Sequence, residues 1–162
     1  MKTSLKLVAI LFVTLLISCG SNEEKKVKTQ TNKKKNVTEK VNKVPASKRV
    51  DLTSKGVGPI TSITLETDIN QKMADKGKDI YSKMCLACHK LDKKFIGPAP
   101  IGIMERRTPE WIMNMILVPE KMVKEDALAK DLLMEFNGAP MANQNLTEED
   151  ARAVLEYFRT LK

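Results

Sequence analysis

Two cysteines three residues apart, Cys85 and Cys88, are followed at once by His89, the only histidine in the 162 residues. On a single helical turn, "CLACH" projects both thiols and the imidazole from one short piece of backbone. Whatever the chain folds into must leave that turn facing something the three groups can hold together. The third cysteine, Cys19, lies far upstream, and no second pair exists.

The front of the chain belongs to something other than a folded domain. Residues 1–18 carry Lys2 and Lys6 and then the apolar run "LVAILFVTLLI", which has the length of a signal-peptide core and is short for a bilayer span. It closes in "LISC", which resembles the lipobox of bacterial lipoproteins, where the cysteine is lipidated and becomes the first mature residue. Cys19 is therefore the expected lipidation site. The expected place of the mature protein is the periplasmic side of a bacterial membrane. Residues 19–58 hold no aromatic residue, and Leu52 is their only leucine or isoleucine. Such a segment cannot offset the entropy of ordering, so it reads as a disordered basic tether. As a flexible coil from Cys19 to about Asp68 it would span roughly 35–40 Å.

Charge follows the same division. Residues 20–58 hold ten lysines, Arg49 and only four acidic residues, whereas residues 59–162 are nearly balanced. The formal net charge of +8 thus belongs to the tether and the signal, and a nucleic-acid function loses its support.

Residues 59–162 read as all-α. Ile69, Met73, Gly77, Ile80 and Met84 recur at helical spacing. Thr108 caps a second helix, with Pro109 and Glu110 in its first turn, that runs through "WIMNMILV". A third is expected from about Val123 through "KEDALAKDLLMEF", stopped by Asn137-Gly138. The last starts at Thr147 and carries Val154, Leu155, Phe158 and Leu161. No stretch alternates with period two, and there is no internal repeat. The only aromatics of this domain are Tyr81, Phe95, Trp111, Phe136, Tyr157 and Phe158. That is a thin core, and a large buried apolar group would complete it.

Three chemistries compete for Cys85, Cys88 and His89. Structural zinc needs four ligands, and the chain lacks a second pair. A thioredoxin-like dithiol starts a helix after a strand, whereas this pair follows a helix. Covalent attachment of haem c uses two thiols so spaced and an adjacent histidine beneath the iron. Only this last chemistry gives His89 a task.

With these residues the chain resembles class I c-type cytochromes over about residues 69–161. Gly77 and Tyr81 match the positions at which that family's first helix crosses its last, with Val154, Tyr157 and Phe158 as partners. The resemblance implies a small fold of about four to five helices around one covalent haem. It further implies that Pro98, in "GPAP", orients His89 through its carbonyl, and that Trp111 donates its indole N–H to a haem propionate; a core aromatic is the alternative for Trp111. Arg106 and Arg107 are candidates to pair with a propionate, the alternative being two solvated charges.

With no other histidine, the second axial ligand is expected to be methionine, whose thioether favours reduced iron. Met104, Met113, Met115, Met122, Met134 and Met141 follow the motif. Met113, Met115 and Met134 read as core fillers on helices. Met141 lies in the loop "NGAPMANQNL", where the family also places its ligand, although Pro140 precedes the methionine where a proline more usually follows. Asn143 or Asn145 is a candidate to bond the sulfur.

Two protein ligands on one iron leave no open place for substrate, which describes a one-electron carrier and not an enzyme. A haem enzyme or gas or redox sensor with a labile distal ligand is the competing class. The run from Glu105 to Ala151 is similar to small cytochromes that accompany nitrous-oxide reductases. The expected partners are therefore a donor such as a quinol-oxidising complex and an acceptor such as nitrous-oxide reductase or a terminal oxidase. Lys90, Lys93 and Lys94 are expected to surround the edge where electrons leave.

Overall fold

The computed structural model describes residues 44–162. The expected signal peptide, Cys19 and tether residues 19–43 lie outside them. The described part contains five α-helices: α1 Gln71–Met84, α2 Pro109–Leu117, α3 Pro119–Glu125, α4 Ala127–Glu135 and α5 Glu148–Arg159. A short 3-10 turn spans Ile103–Glu105. The only β-type pairing among the described residues is an isolated bridge, Asp51 with Arg107. The all-α expectation holds.

The frame is the crossing of α1 and α5. Asn70 caps α1 by accepting from the Met73 N–H (3.0 Å), and Thr147 caps α5 by accepting from the Asp150 N–H (3.1 Å). α1 buries Ala74, Gly77 and Tyr81, one stripe at helical spacing. Ile69 and Met84, at the ends of the stripe read from the sequence, are exposed. A Cβ on Gly77 would fall 1.9 Å from the Ala153 carbonyl oxygen, so only glycine lets the two backbones touch. One turn later the Tyr81 ring packs at 5.6 Å from Tyr157 and 5.8 Å from Phe158.

A buried carboxylate pins the far end of this crossing. Glu156 is fully buried, accepts from Arg152 and Arg159, and takes the Asn70 N–H (2.8 Å). Burial works to raise its pKa. The Arg152 and Asn70 hydrogen bonds, with the two guanidinium charges, outweigh that and hold it below the ordinary carboxylate value.

α2 lies against α5 and is buried nearly all round, from Trp111 to Leu117. Its outer side is covered by the chain before α1. Asn114 donates to the carbonyls of Lys55 and Ile60 (both 2.9 Å) and accepts from the Ile60 N–H (2.9 Å). Thr108 Oγ1 both accepts from the Trp111 N–H and donates to the Ser54 carbonyl.

Two expectations change here. Residues 44–58, read as the end of the tether, form a strap laid on the helices: Ala46 is buried, Ser47 bonds Glu135 through both its N–H and its hydroxyl, and Arg49 pairs with Asp131 (2.6 Å). The strap is held by backbone amides and carbonyls reaching side chains, a kind of order that hydrophobic patterning does not report. The helix expected from Val123 is two helices, because Asp126 caps α4 by accepting from the Ala129 N–H (2.8 Å) and so breaks the run. The stop at Asn137-Gly138 is as expected, with φ of 59° and 74°.

Candidate functional site

α1 ends where the cysteine motif begins. Cys85 is its C-cap and donates its N–H to the Tyr81 carbonyl (2.9 Å), and the N–H groups of Cys88 and His89 both return to the Cys85 carbonyl. Cys85, Cys88 and His89 therefore sit on one turn. All three line one predominantly apolar cleft, together with side chains from α1, α2, α4 and α5.

His89 is fixed from behind. Its Nδ1 lies 2.8 Å from the Pro98 carbonyl oxygen. A carbonyl only accepts, so Nδ1 carries the proton and Nε2 keeps its lone pair. Tyr81 donates its hydroxyl to the His89 carbonyl. A Cβ on Gly97 would fall 2.4 Å from His89 Cε1, so "GPAP" can lie on the ring only with glycine there. The Gly97 N–H in turn donates to the Cys88 carbonyl (2.9 Å). Pro98 is thus where the family resemblance put it.

Cys85 is poorly placed to act as a thiolate nucleophile. Burial, with a smaller contribution from Cys88, pushes the Cys85 thiol up to about 11, so the reactive thiolate is scarce at neutral pH. Among the described residues no group of three or more His, Cys, Asp or Glu side chains could hold a metal ion. The dithiol and zinc chemistries both lose their basis. Two adjacent thiols, a histidine with a free Nε2 and an apolar cleft suit a large flat cofactor that is bonded at its edge and ligated at its centre.

Of the six methionines, the structure brings two to this cleft, Met115 and Met141. Met122 is fully buried elsewhere, and its sulfur accepts from the Val57 N–H (3.1 Å). Met113 is buried outside the lining. Met134, read as a core filler, is 70 % exposed. Met115 is one turn beyond Trp111 on the face of α2 that lines the cleft, a placement legible in the spacing and missed. In the Met141 loop, Asn143 Oδ1 accepts from the Asn145 N–H (2.8 Å), and Gln144 lines the cleft instead of either asparagine.

The three candidate propionate partners all make hydrogen bonds within the protein. The Trp111 indole N–H donates to Asp126 Oδ1 (3.2 Å), which makes Trp111 a core aromatic whose ring lines the cleft. Arg107 is 3 % exposed, so it is not a solvated charge, and it donates to the carbonyls of Ala46, Arg49 and Arg106. Burial, with Arg106 close by, lowers its pKa. Arg106 donates to the carbonyls of Ile101 and Gly102. Ser47, also in the lining, carried no signal in the sequence.

Comparison with known proteins agrees with this geometry. Residues 74–162 match the model of the cytochrome c family. The chain is 31% identical over 90 residues to cytochrome c2 of Rhodocyclus tenuis, covering 55% of this chain and 95% of that protein. Cytochrome c from Rhodothermus marinus superposes with a TM-score of 0.62 at 40% identity, over 64% of this chain and 88% of that one. An engineered form of it described as bound to a carbene intermediate gives 0.59 at 39%, over 64% and 88%. Membership implies one covalently attached haem c, which is what the turn at Cys85 asks for, and the chain belongs to the cytochrome c family.

Proposed function

We propose that this protein is a membrane-anchored one-electron carrier whose haem is bonded through Cys85 and Cys88 and ligated by His89 and Met141. When bound, haem c supplies one iron centre that takes up and returns a single electron. His89 presents Nε2 because Nδ1–H is held by Pro98, and that bond also strengthens it as a ligand. Met141 supplies a soft thioether that favours the reduced state. The apolar lining excludes water. The observation that carries the reading is the His89–Pro98 hydrogen bond on the turn that holds both cysteines, in a cleft that Met141 also lines.

An absorption spectrum of the oxidised protein tests it: methionine-sulfur ligation gives a weak band near the red end of the visible, and a high-spin pattern would sink the assignment. The same spectrum addresses a haem enzyme or sensor with a labile distal ligand, the reading favoured by the carbene-bound engineered relative.

Anchoring rests on residues 1–18 and the "LISC" run at Cys19. With the strap packed from Val44 on, the tether expected from the sequence is left with residues 19–43, a shorter reach than one running to Asp68. That reach confines the haem domain to a thin layer on the periplasmic side, near membrane partners. In Cys19→Ala we expect a soluble cytochrome with an unchanged spectrum and slower respiratory turnover; unchanged membrane fractionation would refute the anchor.

The donor we propose is one such as a quinol-oxidising complex and the acceptor one such as nitrous-oxide reductase, the latter suggested by reading residues 105–151 as similar to cytochromes that accompany it. A terminal oxidase is the rival, and oxidation rates of the reduced protein by each enzyme decide between them. Lys90 and Lys94 lie over the rings of Phe95 and Phe136, beside exposed Phe95 and Ile96. An apolar patch with a basic rim suits an acidic partner surface. Charge reversal at Lys90 and Lys94 should slow delivery, with a defect that shrinks as salt rises.

A further inference from the structure

Residues 44–58 lie outside the stretch that matches the family, yet they help to build the cleft. Ser47 and Arg107 both belong to its lining. Arg107 Nη2 donates to the Ala46 carbonyl (2.6 Å) and Nη1 to that of Arg49, so the strap closes over the guanidinium. Below it lies the Trp111 ring, 5.2 Å away. Among the described residues no carboxylate forms a salt bridge with Arg107. A buried cation met by carbonyl dipoles and an aromatic face, with Asp51 and Asp126 near but unbonded to it, is costly, and its field reaches further than it would in water.

We propose that residues 44–52 are a working part of the haem site: by wrapping Arg107 in backbone carbonyls they keep its charge dry at the cleft wall and so raise the reduction potential of the bound haem. Reduction removes one positive charge from the iron centre, so a nearby desolvated cation favours the ferrous form. Without the strap, water would solvate Arg107, and the higher local dielectric would weaken its effect. Arg107 is thus a positioning and tuning residue, and the strap acts through it. The inference rests on the haem ligation proposed above.

The test uses two haem-loaded forms made behind the same export signal, one beginning at Val44 and one at Thr53, each with Arg107 and with Arg107→Gln. We expect the form from Val44 to match the full chain in potential. The form from Thr53 should show a redox equilibrium constant about threefold lower, ~28 mV at 59 mV per tenfold, and bind imidazole more tightly. Arg107→Gln should lower the potential in the longer form and add little in the shorter one. It should also speed tryptic cleavage after Lys48 and Arg49, a readout independent of electron transfer. Equal potentials in the two forms, or strictly additive effects of truncation and Arg107→Gln, would overturn the proposal. Should the form from Thr53 fail to take haem, Ser47→Ala with Glu135→Gln in the longer form loosens the strap without truncation. Faster cleavage with an unchanged potential there would count equally against it. Loss of the low-spin spectrum in the form from Val44 would instead refute the ligation itself.

Discussion

The two sides of the cleft are built differently. On the His89 side, residues 85–98 are bonded to one another and to α1: Pro98 holds the ring, Tyr81 the backbone, and Gly97 returns to Cys88. On the Met141 side, residues 139–147 contain no buried residue, and their hydrogen bonds reach only neighbours, as from Ala139 to Phe136 and from Asn145 to Asn143. One of the two proposed ligands is set by the fold before any iron arrives. The other sits on a loop whose strongest long-range restraint would be the metal bond.

The most damaging change to this contrast is Gly97→Val. Its side chain must occupy the space of the His89 ring, and overpacking costs about 1–3 kcal/mol even where neighbours yield. We expect a displaced imidazole, a high-spin spectrum and poor haem loading. A normal low-spin spectrum would mean that the His89 side is as adaptable as the other.

Met141→Ala probes the loose side. The potential should fall, and carbon monoxide or imidazole should enter, with the thioether bonds through Cys85 and Cys88 intact. Met115→Ala should cost packing, on the order of 2–5 kcal/mol at a fully buried site and less at this half-buried one, with the ligand spectrum kept. If the two variants exchange these phenotypes, Met115 is the ligand.

Tyr81→Phe removes the hydroxyl bonded to the His89 carbonyl while keeping the ring, so chemical denaturation should show a loss of about 0.5–1.5 kcal/mol. No loss would show that the turn is held without it.

Away from the cleft, Glu156 is one group through which acid should act. Its folded pKa lies below the unfolded value, so its contribution is complete above the unfolded pKa and is lost as pH falls through the folded one. Glu156→Gln should therefore weaken the pH dependence of stability in the acid range, seen in urea midpoints from neutral pH downward; an unchanged profile would remove Glu156 from that role. The smallest effect is expected for Met134→Ala. With the side chain 70 % exposed, its stability should stay within about 0.5 kcal/mol of the parent.

What could be read beforehand divides along similar lines. The cysteine turn and the caps at Thr108 and Thr147 are local patterns, legible because residue type and spacing carry the physics, whereas the crossing at Gly77 and Tyr81 was expected from the family resemblance. Met141 was expected from its loop, where the family resemblance also places the ligand. The strap was not legible, because Ala46 and Ser47 act through backbone atoms and through partners on α4 and before α2. Trp111 was left between propionate donor and core aromatic because its N–H partner, Asp126, is a helix cap fifteen residues on, a choice only the packing makes. Asp126 also divides what periodicity joins into one helix.

The bond from Asn70 to Glu156 joins residues 86 apart, and with the Gly77 contact it ties the start of the described helices to their end. Closing a loop of that length costs about 4 kcal/mol in (3/2)RT ln n before any contact is gained. A helical protein whose frame depends on so distant a pairing has a high contact order for its class, and should fold more slowly than a bundle of sequential hairpins. Among the described helices, α1 packs mainly on α5. The cysteine turn that directly follows α1 is therefore displayed on a chain still unclosed, where both thiols are open to whatever attaches the haem.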